Sequence, residues 1–365
     1  MRTTVCKTMK LRMIFVLMLS VLEVSANFCS LYFPKSYVIY HLRSDEFVEV
    51  DGKLEEEEWQ QVGWTERFVD IQGPLYPVPR FETRVKMRWD DTFLYIGAYM
   101  EETDVWANQT KHNSIVFHDN DFEVFVDPDG STHMYKELEV NAINTTWDLM
   151  LTKPYINGGQ ANSSWEMPSM KYAAYVDGPV NDPRIQNKYW TAELALPLKD
   201  LADGTAHTRI PPKDGDQWRI NFSRVEWHVH VVDGHYEKVV GLREDNWVWS
   251  PQYSINMHLP ERWGFIQFAN YQINETVFTK PKYWPVYVSL VDVYDAEKEF
   301  FAINGYFTTN LTQLSLHEFV RQGKCSGVPV VSTTDYAFNA TVSSLGDHLI
   351  VGHIRDDRLI WFDPL

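Results

Sequence analysis

The strongest constraint on this chain is an alternation of apolar and polar residues with period two, cut at short intervals by turn residues, from residue 47 to about 270. Phe81 to Trp89 alternates, Asp90-Asp91 turns, and Phe93 to Met100 alternates again, which reads as a β-hairpin. Further strands are expected at Phe122 to Val126, His133 to Val140, Lys171 to Val176, Trp190 to Leu196, Trp218 to Trp227 and Tyr236 to Gly241. Asp129-Gly130, Asp177-Gly178, Asp203-Gly204, Asp214-Gly215 and Asp233-Gly234 punctuate them. Many short strands with regular turns give an all-β fold, an antiparallel β-sandwich. One early helix is expected over Leu54 to Val62, burying Trp59.

The alternation also separates the faces. Phe122, Val124 and Val126 alternate with Asp121, Glu123 and Asp127; Leu138, Val140 and Ala142 alternate with Glu137, Glu139 and Asn141. One face is therefore core and the other a polar sheet surface. In Trp218 to Trp227 the apolar positions switch from Ile220 and Phe222 to Val225 and Trp227, which predicts a bulge near Ser223-Arg224 and puts Asn221 and Ser223 on the polar face. After Pro281 the texture changes. Val286, Leu290, Val293, Tyr294 and Phe301 recur at helical spacing and stop at Asn304-Gly305. With a second helix over Leu311 to Val320 and strands at Ala337 to Ser343, Leu349 to Ile354 and Leu359 to Phe362, residues 281–365 read as a small α+β unit.

The first 26 residues have a different character. Arg2, Lys7, Lys10 and Arg12 precede an apolar run, Met13 to Leu22, too short to span a bilayer, and Val24-Ser25-Ala26 offers a cleavage site, so 1–26 is expected to be a secretory signal. An N-terminal segment, 27–43, would follow. Formal net charge is −17, and removing four basic residues and Glu23 would take it to −20, which excludes general nucleic-acid binding. No later stretch is apolar enough for a membrane span, so a secreted, extracellular protein is expected. Loss of Cys6 would leave Cys29 and Cys325, an even pair expected to form a disulfide, with pairing between two chains as the alternative. Seven Asn-X-Ser/Thr sequons, at Asn108, Asn144, Asn162, Asn221, Asn274, Asn310 and Asn339, fit passage through a secretory pathway.

A family resemblance is carried by ordered motifs. Val50-Asp51-Gly52-Lys53-Leu54 with Trp59, Arg88-Trp89-Asp90-Asp91-Thr92-Phe93-Leu94-Tyr95-Ile96, Asp121-Phe122-Glu123-Val124-Phe125-Val126-Asp127 and Pro260-Glu261-Arg262-Trp263-Gly264-Phe265 stand in sequence. Together, over about 44–270, they resemble a family 9 carbohydrate-binding module, one of the DOMON-like, jelly-roll-like sandwiches. The segment 281–365 resembles an extension appended to such modules. The resemblance implies a sugar site on the polar sheet face, with two tryptophans clamping a terminal glucose-like ring. Residue by residue, the family's glutamate and asparagine match Glu123 and Asn141. The clamp tryptophans fall on Phe117 and Met257, the arginine on Glu139 and the glutamine on Ser223. Trp106, Trp247 and Trp249 are candidates for replacement platforms, with core packing as the alternative for each. The family also binds structural calcium through acidic loops, for which Asp119, Asp121, Asp127 and Asp129 are the candidates.

A second constellation follows from spacing. A two-residue turn at Asp233-Gly234 would pair Val232 with His235 and His230 with Glu237, putting Glu226, His228, His230, His235 and Glu237 on one face as candidate metal ligands or as a solvated hairpin. The functional expectation is a secreted carbohydrate-recognition protein for a neutral or cationic ligand, without catalysis of its own. Glu123 and Glu139 could formally pair as acid and base, but no catalytic motif frames them. The alternatives are a haem or metal binder using Met257 and His258, and an adhesion or matrix protein or accessory module in carbohydrate catabolism. Partners other than a glycan, and the oligomeric state, are open.

Overall fold

The computed structural model describes residues 33–270, 272–346 and 349–363. The expected leader, residues 1–26, and Cys29 lie outside the described residues. Two compact units divide the described chain, Pro34–Thr279 and the segment from Lys280 onward, to which Phe33 is also assigned.

In the first unit the strands are β1 (Ser36–His41), β2 (Val69–Asp70), β3 (Thr83–Trp89), β4 (Phe93–Glu101), β5 (Asp121–Asp127), β6 (Tyr135–Asn141), β7 (Thr146–Leu151), β8 (Ala161–Asn162), β9 (Lys171–Val176) and β10 (Tyr189–Pro197). They continue with β11 (Gln217–Glu226), β12 (Val229–Val232), β13 (His235–Lys238), β14 (Asp245–Val248) and β15 (Gly264–Ala269); α1 (Glu57–Gln60) and α2 (Leu198–Leu201) are single turns. Hydrogen bonding runs β8-β7-β6-β5-β11-β15-β1-β3-β4-β10-β9, a sheet curled into a sandwich around one core. Pairing is antiparallel except at β1, which lies parallel to β15 on one side and to β3 on the other. The segment 27–43, set apart by sequence, thus supplies an interior strand, Tyr37-Val38-Ile39-Tyr40, whose β-branched and aromatic residues suit such a position.

The inward residues are those the alternation selects. Phe122 of β5 stacks on Phe222 of β11 at 5.8 Å between ring centres, in the cluster holding Val124, Val126, Leu138, Val140, Ile220, Trp247 and Trp249. The expected bulge is absent. β11 pairs with β5 without interruption from Arg219 opposite Asp127 to Val225 opposite Asp121. The apolar pattern breaks because Arg224 occupies an inward position, fully buried, with Glu102 at 2.9 Å and Glu226 at 2.8 Å and with the rings of Phe81 and Trp247 beside its guanidinium. A buried charge is retained only when paired, and this one has two carboxylates.

The turn at Asp51-Gly52 is fastened by Glu193 of β10. Its Oε2 accepts from the backbone N–H of Asp51 and Gly52 at 2.9 and 3.0 Å, and its Oε1 accepts from Trp59 Nε1 at 2.7 Å. Gly52 has φ +90°, and a Cβ there would meet the backbone of Ala174 at 2.8 Å. Trp59 is buried as expected, although α1 is shorter than the helix read from the sequence.

The second unit is α+β. Helix α3 (Trp284–Asn304) ends at Gly305. Strands β16 (Val330–Thr333), β17 (Phe338–Ser343), β18 (Val351–Arg355) and β19 (Ile360–Phe362) form an antiparallel sheet. α3 rides close on β18: a Cβ on Gly352 would lie 2.9 Å from Val286 and 3.0 Å from Leu290. The helix expected over Leu311 to Val320 is reduced to α4 (Glu318–Arg321). Leu314 and Leu316 are both buried, a spacing of two that suits extended chain, and His317 N–H is anchored on Asp292 at 3.0 Å.

Replacing Gly52 by alanine is expected to lower unfolding free energy by about 2–3 kcal/mol, from the left-handed backbone and the contact with β9 together. Chemical denaturation measures it, and a loss under about 0.5 kcal/mol would contradict the close approach.

Candidate functional site

Register across five strands assembles the polar face. Glu139 of β6 lies opposite Glu123 of β5, which lies opposite Ser223 of β11; Trp147 of β7 and Val248 of β14 extend the same row on either side. One row away stand Asn141, Asp121 and Val225, and on the other flank Leu149, Glu137, Phe125 and Asn221. The sequence-selected Glu123, Glu139 and Ser223 are therefore neighbours. Glu137, placed on the polar face by alternation but not singled out, joins them.

These carboxyls are buried, and ligating atoms of Asp121, Glu123 and Glu139 lie within 4.8 Å of one another. Burial, reinforced by one another's negative charge, holds Asp121, Glu137 and Glu139 well above the usual carboxylate range. Burial pushes Glu123 up to about 7, opposed only by its hydrogen bond with Ser223. No basic side chain among the described residues figures in the charge environment of these four groups. Their environment favours the protonated form, and a protonated carboxyl both donates and accepts a hydrogen bond.

The lower half of the same face is apolar and aromatic. Phe125, Tyr135 and Trp263 pack together with Ile71, Leu149, Leu151, Val248 and Met257. Met257 is 9% exposed and holds Trp263 Nε1 on its carbonyl at 2.9 Å. His258 is flanked by Phe125, Tyr135 and Tyr155, its Nδ1 is 3.0 Å from Tyr135 Oη, and burial lowers its pKa to about 4. The pair raised as haem ligands thus lies in this aromatic half of the face, Met257 buried and His258 half-buried among three rings.

Two exposed aromatics stand at the rim. Phe117 is 37% exposed, in a short turn whose backbone N–H donates to Glu139 Oε2 at 3.0 Å. Tyr155, 44% exposed, has its hydroxyl pKa raised by burial and then by the charges of Glu137 and Glu139. Sequence reasoning missed Tyr155 and Trp147. Tyr155 lies in a loop turn without periodicity, and β7 was not read as a strand at all.

Other candidates are placed differently. Asn141 is buried, and its amide is engaged throughout: Nδ2 donates to Gln109 O and Asp119 Oδ2, while Oδ1 accepts from Ile143 and Thr145. Trp106 is 3% exposed, with the Lys238 ammonium 5.7 Å from its ring centre; Trp247 and Trp249 belong to the core, so none of the three offers an open ring face. Asp119 and Asp127 cannot share an ion, since they bracket β5 and strand rise separates their positions by more than about 20 Å. Asp129 instead accepts from Ser131 and Ala206 backbone N–H groups.

The hairpin register is as spaced, with Val232 opposite His235 and His230 opposite Glu237. Its histidines do not converge. His228 turns to Asp245 at 3.2 Å and Arg80 at 3.1 Å, Glu226 is buried with Arg224, and no metal-sized grouping among the described residues includes His228, His230 or His235. Six sequon asparagines, Asn108, Asn144, Asn162, Asn274, Asn310 and Asn339, are exposed. Asn221 is buried in β11, its amide bonded to Ser250 on both sides, which closes that sequon in the folded chain.

Residues 50–205 match the model of the carbohydrate family 9 binding domain-like family. This segment is a family 9 carbohydrate-binding-like domain. The match ends before β11, so the strand that carries Ser223 and closes the polar face lies beyond it. Solved structures similar to this module include a Bacteroides uniformis protein provisionally described as carbohydrate-binding, 16% identical, with TM-score 0.48, covering 64% of this chain and 99% of that one. Another is a family 9 carbohydrate-binding module from Caldicellulosiruptor kristjanssonii in complex with cellotriose, 14% identical, TM-score 0.40, covering 68% and 100%. The same module in complex with glucose is 13% identical at TM-score 0.39. No curated protein matches the chain. No helix among the described residues is long and apolar enough to cross a membrane.

The raised carboxyls fix a direction of pH dependence. The folded module holds protons where the unfolded chain has released them, so stability falls as pH rises from the ordinary glutamate value of 4.5 through about 7, where Glu123 titrates. The melting temperature is expected to drop by several degrees between about pH 5 and 7.5. A Glu123→Gln/Glu139→Gln variant should show a shallower profile, and an unchanged slope would contradict the assignment.

Proposed function

We propose that this protein recognises a neutral or terminal sugar on the polar face of β5, β6 and β11, as a secreted binding protein without catalysis of its own. The observation that carries this reading is the row Trp147, Glu139, Glu123, Ser223, with exposed Phe117 bonded to Glu139 and Tyr155 electrostatically coupled to Glu137 and Glu139. A sugar ring presents C–H groups on its faces and hydroxyls at its edges. Aromatic faces suit the first, and a rigid sheet of groups able both to donate and to accept suits the second. Phe117 and Tyr155 are the stacking platforms, and Glu123, Glu137 and Glu139 the hydroxyl-binding groups. Asn141 acts through the 107–119 segment it fastens. Glu139 stands where the family resemblance has arginine, so the face lacks that cation, and with a net charge of −17 this favours neutral or cationic glycans over sulfated ones. The family 9-like domain supports carbohydrate as the ligand class, and the exposed sequons support passage through a secretory pathway.

A glycan array followed by calorimetry tests the site. Wild type is expected to bind at least one neutral or amino-sugar glycan and no sulfated one. Phe117→Ala and Glu123→Gln should each weaken binding about tenfold or more, the equivalent of about 1.4 kcal/mol. Absence of any glycan binding ends the sugar reading; equal binding by both variants means that the site is misplaced.

A further inference from the structure

On the opposite face of β7 from Trp147, three side chains from separate stretches of chain converge. His112 comes from the segment before β5, Asp148 from β7, and Glu166 from the segment after β8; one ligating atom of each lies within 4.8 Å of the others. His112 Nε2 stands 2.8 Å from Glu166 Oε2 and 3.6 Å from Asp148 Oδ1. His112 Nε2 and Glu166 Oε2 are hydrogen-bonded at 2.8 Å; donor atoms around one tetrahedral ion at about 2.0–2.1 Å are about 3.3 Å apart, so an ion replaces that bond with an adjustment of about half an ångström.

Each residue is held by a second partner so that one atom is directed to the common point. Thr146 Oγ1, 3.0 Å from His112 Nδ1, fixes the ring with Nε2 toward the carboxyls. Asn113 Nδ2 donates to Glu166 Oε1 at 2.8 Å, and Oε2 is turned to His112 Nε2. Met167 N–H donates to Asp148 Oδ2 at 2.7 Å. Its other oxygen, Oδ1, has no hydrogen-bond partner although the Asp148 side chain is only 1% exposed. A buried carboxylate oxygen without a partner is costly, and here it is aimed at the imidazole and the second carboxyl. His112 and Glu166 are about half exposed, which leaves one side open to water.

We propose that His112, Asp148 and Glu166 bind one divalent cation of the zinc class. One imidazole and two carboxylates in a compact, water-accessible set suit a borderline ion; calcium and magnesium prefer all-oxygen sites with more ligands. The ion ties the segment that leads to Phe117 to β7 and to the segment after β8. Because the site lies across the sheet from Glu123 and Glu139, it stands independently of the sugar reading.

The full-length protein, stripped with chelator, is titrated with zinc by calorimetry and melted with and without zinc. Wild type is expected to take up one equivalent with a raised melting temperature. His112→Ala, a half-exposed position whose replacement leaves the core intact, should weaken that uptake at least tenfold and abolish the melting shift, and Glu166→Gln should do the same. No stoichiometric uptake by wild type overturns the proposal, as does undiminished uptake by both variants. Tighter binding of calcium than of zinc overturns the assignment of the metal class.

Discussion

Everything on the polar face depends on burying four carboxyl groups together without a basic partner. In water such a set would ionise and repel; between β11 and β7 each member is dehydrated, so the charged form is disfavoured and protons are retained. What keeps the groups in place is the sheet. Glu139, Glu123 and Ser223 stand in one row because three strands pair in unbroken register, and strand alternation sends Phe122, Val124 and Phe222 into the core from the same backbone. The packing that stabilises one face therefore fixes the chemistry of the other. Phe117 is joined to it by a backbone hydrogen bond, which links an exposed ring to Glu139.

The same sheet treats a second buried charge differently. Arg224 lies inside with Glu102, Glu226 and two aromatic rings around it, and although burial and Glu102 still raise the Glu226 pKa, the arginines Arg224 and Arg80 oppose that rise. One strand, β11, thus carries a paired cation toward the core and a serine toward the acidic face two register positions from Asn221. Burial raises carboxyl pKa values on both sides, opposed by arginine on one side and by no basic group among the described residues on the other.

How much of this was legible in the sequence follows from what alternation encodes. It marks strands and faces, so β3, β4, β5, β6, β9 and β10 and the neighbourhood of Glu123, Glu139 and Ser223 could be read directly. It does not encode partners across long stretches of chain. The insertion of β1 between β15 and β3, and the arrival of Tyr155 and Trp147 at the rim, depend on tertiary neighbours and left no periodic trace. At Ser223-Arg224 the pattern was visible but its cause was not: a buried arginine and a bulge break hydrophobic periodicity alike, and only the presence of Glu102, more than a hundred residues away, separates them. Asn141 sits where the family resemblance puts a ligand-reading amide, yet four hydrogen bonds to protein occupy it. In the same way spacing paired the hairpin histidines correctly but could not foresee that Asp245 and Arg80 draw His228 away.

The central claim is that the protonated carboxyls of β5 and β6 are themselves the groups that meet the ligand. Carbon-13 NMR of the glutamate side-chain carboxyls, followed at about pH 6 while a glycan bound by the wild-type protein is added, observes this directly. The account predicts that Glu123 and Glu139 resonate as protonated acids in the free protein and that both resonances move on saturation. Resonances of fully ionised carboxylates, or a saturating glycan that leaves both unmoved, would contradict it.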